Sequence, residues 1–351
     1  MAIIKESLFQ KSNDYTNLEK NFEVTTGLQL ITRQRQQFDP DEVSESVSVV
    51  IPAYMGHRTL PITLRALQQQ VHRNFEVLIV DDASPVSLLD TVARAEVSFP
   101  IKFVRHLENT RMCPSAASNT GIFLAEGRTV VLMDQDMVPD ETYLLNLAGR
   151  QQYSQDCVFI GFRENISYTD WEQKVAAGVG ADLEADWRYR VKVNRDFIPL
   201  NLNMKEPRRG DEAFIINETN YLKKLGHGES IEYWDLPCMV TGHSLCFRRE
   251  AGVVSGGVPE IFTGWGVEDI AFGAALIAHG QYVIPALNCV SYHIDHERHS
   301  GSIEKQWQEF RANLGVYFCW VDTPVEEIKF PGRVISKTGK ESNMELYETG
   351  P

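Results

Sequence analysis

Between residues 46 and 150, short apolar runs alternate with segments in which apolar residues recur at helical spacing. The runs are four to six residues long and rich in β-branched side chains, which is typical of strands buried on both faces of a parallel sheet. They predict strands at 47–51, 75–80, 101–104 and 129–133. The segments between them predict helices at 59–70, 88–95, 115–125 and 141–147. This alternation indicates an α/β domain with a mostly parallel sheet flanked by helices.

The alternation stops near residue 160 and returns near residue 238. The polar stretch between them is rich in aromatic side chains, which indicates an insertion into the domain. Beyond it we expect a strand at 238–247, a helix at 269–279, short strands at 282–284 and 289–292, and a helix at 304–318. The expected organisation is an N-terminal arm (1–45), a domain (46–322) and a C-terminal tail (323–351). The domain divides into a first half (46–160), the insertion (161–237) and a second half (238–322) that ends in a helical extension.

Composition narrows the classes of function. The chain of 351 residues has a formal net charge of −14, which disfavours nucleic-acid binding because that rests on Lys and Arg neutralising phosphates. No segment approaches the roughly 20 consecutive apolar residues of a membrane-spanning helix, and residues 1–20 lack the apolar core of a signal peptide. The six cysteines form no C-x-x-C pair. We therefore expect reduced thiols and a cytoplasmic protein without a transmembrane segment.

Polar side chains follow three of the predicted strands. Pro52 and Tyr54 come after the first strand, Asp82 comes after the second, and Asp134 and Asp136 follow the fourth. Ligands of open parallel sheets bind at the carboxyl ends of the strands, so these residues predict a polar pocket. No glycine-rich phosphate loop follows any strand. Two aspartates separated by one residue suit Mg²⁺ or Mn²⁺, which would bind phosphates in place of a glycine-rich loop. The alternative interpretation is an ordinary turn that contains aspartate.

Two sets of motifs follow one another along the chain. The first half contains VSVVIPAY, FEVLIVDDAS and SNTGIFLAEGRTVVLMDQD, and the second contains TGHSLCFRRE, GGVPE, GWGVEDIAFGAALIAHG and SYH. In this order they resemble the inverting family 2 glycosyltransferases, which have the Rossmann-like GT-A fold. The GWGVED stretch is especially similar to the galactosyltransferase C-terminal motif of β-1,4-galactosyltransferases and of bacterial chondroitin-type polymerases. The resemblance covers more than half of the chain and implies a nucleotide-binding first half and an acceptor-binding, catalytic second half.

The implied activity is metal-dependent inverting transfer of a sugar from a nucleotide sugar, a UDP-sugar, with Mn²⁺ or Mg²⁺ as cofactor. The acceptor is left open between a glycan, a lipid, a peptide and a small molecule. Two alternatives share the fold. A nucleotidyltransferase would have no use for GWGVED, and a non-catalytic carbohydrate-binding protein would be indicated by loss of Asp136 or Asp269, both of which are present.

On the donor side, the resemblance implies that Asp82 receives the nucleotide base in a pocket lined by Pro52 and Tyr54. Asp134 would face the ribose and the sugar. Arg111 would supply positive charge near the phosphates, although it stands where family members often have glycine. Asp81, by contrast, is expected to hold backbone N–H groups at the strand end.

For the metal and the acceptor, the resemblance implies four further roles. Asp136 would bind the metal together with His293, or with His296 as a competitor. Asp269 would be the general base and Glu268 would orient the acceptor, although acids in a first helical turn are also favoured by the helix dipole alone. Trp265 would lie over the sugars. Because glycines flank it, we expect this loop to be mobile and to close over the donor.

Overall fold

The computed structural model describes residues 3–4, 7, 15–109, 111–178, 180–186, 191–192, 212–213, 236–295, 302–331 and 344–349. Within these residues one nine-stranded sheet dominates the fold. Its strands are β1 Val47–Ala53, β2 Phe75–Asp82, β3 Ile101–His106, β4 Thr129–Met133, β5 Met137–Pro139, β6 Cys157–Ile166, β9 Ser244–Arg248, β10 Tyr282–Ile294 and β11 Met344–Thr349. β7 Val191–Lys192 and β8 Glu212–Ala213 pair with each other.

Helices connect and cover these strands. They are α1 Tyr15–Thr26, α2 Leu60–Gln68, α3 Leu89–Ala93, α4 Ser115–Leu124, α5 Tyr143–Tyr153, α6 Trp171–Ala176, α7 Arg249–Val254, α8 Glu268–Ala278 and α9 Ile303–Trp320. Short 3-10 turns lie at Leu183–Ala185, Leu236–Met239 and Val325–Glu327. Among the described residues, no helix is both long and apolar enough to cross a membrane.

The strands lie in the order β11-β3-β2-β1-β4-β9-β6-β10-β5. β1 pairs in parallel with both β2 and β4, so the chain order reverses at β1. Strands β1 to β4, β6 and β10 run in one direction, while β5, β9 and β11 are antiparallel to their neighbours. The predicted mostly parallel sheet is confirmed. The ends of β1, β2, β4, β6 and β10 therefore share one edge of the sheet, which we call the carboxyl edge.

The first half follows the sequence prediction closely because its strands are buried on both faces. All of the β4 side chains and most of those of β1 and β2 are buried, as their continuous apolar runs require. Beyond residue 150 the structure differs from the prediction at several strands. The strand expected at 238–247 is shorter and begins at Ser244, while the two short strands expected at 282–284 and 289–292 form the single strand β10, with an irregular register between Pro285 and Val290. Strand β6 has no counterpart in the prediction, although its run CVFIGF is apolar.

The two ends of the chain also pack on the domain more than their polar composition indicates. Phe22 and Phe38 are 3% and 4% exposed and contact each other edge to face. Arg150 of α5 is fully buried and donates hydrogen bonds to the Leu30 carbonyl at 2.9 Å and to Oδ1 of Asn288 at 2.7 Å. At the other end, β11 extends the sheet by pairing with β3.

All six cysteines lie in the described residues, and they form no disulfide. Much of the aromatic-rich insertion at 161–237 lies outside the described residues. Trp171 is described and packs against the cluster of Ile62, Val138 and Ile166.

Candidate active site

Three potential metal ligands meet at the carboxyl edge. One ligand atom from each of Asp134, Asp136 and His293 lies within 4.8 Å of the others, and Nε2 of His293 is 3.3 Å from Oδ1 of Asp136. The aspartates lie in the turn between β4 and β5, while His293 is near the end of β10. Pairing of β5 with β10 sets His293 opposite Met137, which brings together residues more than 150 positions apart in sequence.

This cluster fits a divalent cation. Asp136 is only 2% exposed, and burial of a carboxylate is costly unless a cation or hydrogen-bond donors compensate it. Carboxylate oxygens suit Mg²⁺ and Mn²⁺, and an imidazole nitrogen is a better ligand for a transition metal than for Mg²⁺. His296, the competing candidate, lies outside the described residues.

Gln135, between the two aspartates, ties their turn to the loop after β1. Its Oε1 accepts from the Tyr54 backbone N–H at 3.1 Å, and its Nε2 donates to the Tyr54 carbonyl at 2.9 Å. Thr63 holds the turn from the other side by donating to the Gln135 carbonyl at 2.8 Å. A Cβ atom at Gly56 would lie 2.1 Å from Oε1 of Gln135. No local sequence pattern identifies Tyr54 as the partner of Gln135.

Asp82 lies at the end of β2 and is 5% exposed. Its Oδ1 is 3.0 Å from Nδ1 of His106, and its Oδ2 accepts a hydrogen bond from Asn109. These contacts fix the orientation of the carboxylate and use part of its acceptor capacity. Neither partner was identified from the sequence. Asp81 is held as expected, because its two oxygens accept the backbone N–H groups of Ser84 and Leu88 at 3.0 and 3.1 Å.

A pocket of about 480 Å³ opens beside the cluster of Asp134, Asp136 and His293. It collects five of the residues expected from the sequence, namely Pro52, Asp134, Trp265, Glu268 and Asp269. Arg111 lies elsewhere: it is exposed, its guanidinium donates to the Ile261 carbonyl at 3.1 Å, and its own carbonyl accepts from the Gly264 N–H at 2.8 Å. Arg163, near the C-terminal end of β6, also lines the pocket. It was not among the predicted site residues because β6 was not predicted.

Two adjacent acids begin helix α8 at the pocket wall. Oδ2 of Asp269 accepts from the backbone N–H of Gly242 at 3.4 Å. Burial, reinforced by the charges of Asp269 and Asp134, raises the pKa of Glu268 to about 8. Because its pKa is raised, Glu268 holds a proton near neutral pH and can donate a hydrogen bond.

Helix α9 and the loop before α8 together supply an apolar wall, which we call the aromatic wall: Trp265 from the loop, and Trp307 and Phe310 from α9. Ring centroids are 6.3 Å apart for Trp265 and Trp307 and 5.8 Å apart for Trp265 and Phe310. Trp265 remains 46% exposed. Its backbone N–H donates to Oε2 of Glu309 at 3.0 Å. The loop that contains Trp265 is thus hydrogen-bonded to α9. This contrasts with the mobile loop that the flanking glycines predict.

Part of the chain is similar in sequence to a known protein family and to curated proteins. The family model described as glycosyl transferase family 2 matches residues 48–219. The chain is 24% identical to a hyaluronan synthase of Pasteurella multocida over 263 residues, which is 74% of this chain and 26% of that protein. It is 24% identical to a chondroitin synthase of Escherichia coli over 273 residues, which is 72% of this chain and 35% of that protein. It therefore spans about a quarter to a third of the length of these relatives.

Solved structures resemble the fold as well. S. aureus TarS 1–349 in complex with UDP-GlcNAc superposes with a TM-score of 0.50 at 17% identity, covering 80% of this chain and 68% of that one. GalNAc-T7 with UDP, GalNAc and Mn²⁺ gives a TM-score of 0.50 at 16% identity, covering 84% of this chain and 56% of that one. The mixed, mostly parallel sheet flanked by helices is the GT-A fold.

Proposed function

The chain carries a glycosyl transferase family 2 domain, and from this premise we propose that it transfers a sugar from a UDP-sugar to an acceptor hydroxyl with inversion. The observation that carries the proposal is the convergence of Asp134, Asp136 and His293 within 4.8 Å. They lie at the carboxyl edge, where open α/β sheets bind ligands, and Asp134 also lines the adjoining pocket. The UDP complexes of structures with the same fold support the choice of donor.

The donor lies, in this proposal, across the ends of β1, β2 and β4. Asp82 accepts from the nucleotide base, with Pro52 and Tyr54 beside it, and Asp134 accepts from hydroxyl groups of the donor. Asp136 and His293 would hold Mn²⁺ or Mg²⁺, which when bound neutralises negative charge on the diphosphate leaving group. Arg111 donates to the Ile261 carbonyl and does not line the pocket, so a contact with the phosphates requires its guanidinium to leave this bond.

Asp269 acts as the general base. Its carboxylate takes the proton of the acceptor hydroxyl as the oxygen attacks the anomeric carbon from the face opposite the phosphate. Glu268, protonated because its pKa is raised, donates a hydrogen bond that orients the acceptor. The aromatic wall offers apolar ring faces on which a sugar can pack, while Arg163 and His243 line the same pocket with polar groups.

Binding of the donor with metal tests the proposal. We expect UDP-sugars to raise the melting temperature in the presence of Mn²⁺ and to have little effect with a chelator, because a ligand of the folded state stabilises it by mass action. The panel is UDP-glucose, UDP-galactose, UDP-GlcNAc, UDP-GalNAc and UDP-glucuronic acid. In calorimetry with UDP and Mn²⁺, Asp136→Ala should weaken binding by at least about 100-fold, since even residues behind metal ligands contribute 10- to 100-fold.

Asp90→Ala is the matched control, because Asp90 is an exposed aspartate on α3, away from the pocket. It should bind UDP as the wild type does. If Asp136→Ala bound UDP and Mn²⁺ with wild-type affinity, the aspartate pair would have no part in donor binding.

A further inference from the structure

The loop that leads into the two acids has an unusual backbone. Gly264, Gly266 and Val267 have φ angles of +72°, +91° and +80°, so three of four consecutive residues are left-handed. Glycine adopts this conformation readily, but a β-branched residue such as Val267 is a genuine outlier there. Such a conformation persists only when the surroundings enforce it, and it is commonly found at functional sites. Val267 immediately precedes Glu268, where α8 begins.

Asn313 of helix α9 enforces this backbone. Its Nδ2 lies 3.1 Å from the Thr263 carbonyl, 3.4 Å from that of Trp265 and 2.9 Å from that of Gly266. Its Oδ1 accepts from the Thr263 N–H at 3.3 Å. Asn313 is only 3% exposed, so these bonds are shielded from water, where losing them is costly.

Glu309, one helical turn earlier, holds the same loop from the side. Its Oε2 accepts from the Trp265 N–H at 3.0 Å. Contact between loop and helix is close: a Cβ atom at Gly264 would lie 2.6 Å from Cδ of Glu309, and one at Gly266 would lie 2.8 Å from a ring carbon of Phe310. The left-handed glycines are therefore required by both backbone conformation and space.

We infer that Asn313, assisted by Glu309, is the positioning residue that sets the candidate base Asp269 and the ring of Trp265 through the strained turn at Val267. The inference rests on the proposed function of Asp269. It gives these two residues of α9 a positioning role, although neither Asn313 nor Glu309 needs to touch the substrate. The loop is accordingly preset in the absence of donor rather than assembled by closure.

Asn313→Asp is the decisive variant. It keeps the shape and the accepting oxygen, but it replaces the amide that donates to three carbonyls by an oxygen that cannot donate. Hydrolysis of the UDP-sugar that stabilises the protein most in the panel above, with Mn²⁺, measures turnover with water in the acceptor's place. We expect kcat to fall about 100-fold, because a displacement of about 1 Å in a catalytic group has this effect, while the donor KM stays unchanged. Exchange of the backbone amides of 264–269, followed by mass spectrometry, should become faster.

Asn146→Asp is the matched control. Asn146 is equally buried on α5 and its amide donates to the Arg35 carbonyl at 2.6 Å, far along the chain from the loop. It should leave the exchange of 264–269 and kcat unchanged. Glu309→Gln keeps an accepting oxygen for the Trp265 N–H and should retain activity, whereas Glu309→Ala should lose part of it.

The outcomes separate the inference from the proposed function. Wild-type kcat or wild-type exchange of 264–269 in Asn313→Asp would overturn the inference, and so would equal losses in Asn146→Asp, since these would reflect general destabilisation. If instead Asp269→Asn hydrolysed the donor at the wild-type rate, the assignment of the base would fail. Faster exchange in Asn313→Asp would then still establish that α9 holds the loop.

Discussion

The two sides of the candidate site are built in different ways. On the proposed donor side, each side chain lies at or just beyond the end of its own strand, and the parallel sheet brings Pro52, Asp82 and Asp134 to one edge. On the acceptor side, the acids at the start of α8 depend on a loop that is left-handed at three positions and bonded to α9, about fifty residues later. The donor side is thus set by sheet register, and the acceptor side by a few side-chain hydrogen bonds.

This difference has consequences for robustness. A register shared by several buried strands is maintained by many backbone hydrogen bonds and apolar contacts, so single substitutions disturb it little. A strained loop held by Asn313 and Glu309 depends on each of them. We therefore expect substitutions on the acceptor side to change turnover while donor affinity persists, and substitutions on the donor side to change affinity.

Removal of the candidate base should give the largest effect and the sharpest separation of the two sides. Asp269→Asn is nearly isosteric and keeps a side-chain oxygen for the Gly242 N–H, but it does not take a proton at neutral pH. Turnover of the UDP-sugar should fall about 10²- to 10⁴-fold, which is the usual contribution of a general base. Steady-state kinetics measures this loss, and calorimetry with UDP and Mn²⁺ should show unchanged affinity.

Asp90→Asn, the same change at the exposed aspartate on α3, controls for the substitution itself. Wild-type turnover in Asp269→Asn would mean that the acid has a structural role at the start of α8. A parallel loss of UDP affinity would remove the distinction between the two sides.

The strands of the first half, and the residues at their carboxyl ends that we propose for the donor side, were predictable from the sequence. Val47–Ala53 and Thr129–Met133 are continuous apolar runs, and the polar residues that follow a buried parallel strand lie at its carboxyl end. Asp134 and Asp136 needed only this local rule. His293 was assigned through the family resemblance, and the pairing of β5 with β10 explains its position.

Contacts between distant segments were not predictable. Asn313 is an ordinary residue within an amphipathic helix, and nothing near it in sequence indicates that its amide meets three carbonyls of the loop. The same holds for Gln135 and Tyr54. Arg163 was missed for another reason: the apolar run of β6 merges into the polar insertion, which concealed where the strand ends.

Glu268 offers a test of how closely the two acids are packed. Burial and the charge of Asp269 raise its pKa to about 8, so the folded protein keeps a proton that the unfolded chain loses near the ordinary glutamate value of 4.5. Folding stability should therefore fall as pH rises between these two values, since the folded state binds more protons. Glu268→Gln has no charge to lose. Its melting temperature, measured with a chelator, should increasingly exceed that of the wild type across this range.

The matched control is Glu304→Gln on α9, where a hydrogen bond to the backbone lowers the glutamate pKa and no such trend should follow. A constant difference between Glu268→Gln and the wild type at every pH would contradict the raised pKa. It would indicate that Glu268 is solvated and ionised beside Asp269. The proposed role of Glu268 as a hydrogen-bond donor to the acceptor would then fail.

The smallest expected effect concerns the contact between the two aspartates and the loop after β1. Gly56→Ala would bring a Cβ atom to 2.1 Å from Oε1 of Gln135. This would push the Gln135 amide away from the backbone N–H and carbonyl of Tyr54, to which that amide is hydrogen-bonded. Gln135→Ala removes the same two bonds. Because a hydrogen bond contributes about 0.5–1.5 kcal/mol, each variant should weaken UDP binding by a few-fold to about tenfold. The double variant should bind UDP no more weakly than either single variant, since both substitutions disrupt the same interaction.

Gly315→Ala in α9, where an added Cβ atom meets nothing within 4 Å, is the matched control and should leave the affinity for UDP unchanged. Additive losses in calorimetry would show that Gly56 acts apart from Gln135, and wild-type affinity in both would mean that sheet register alone sets the donor side.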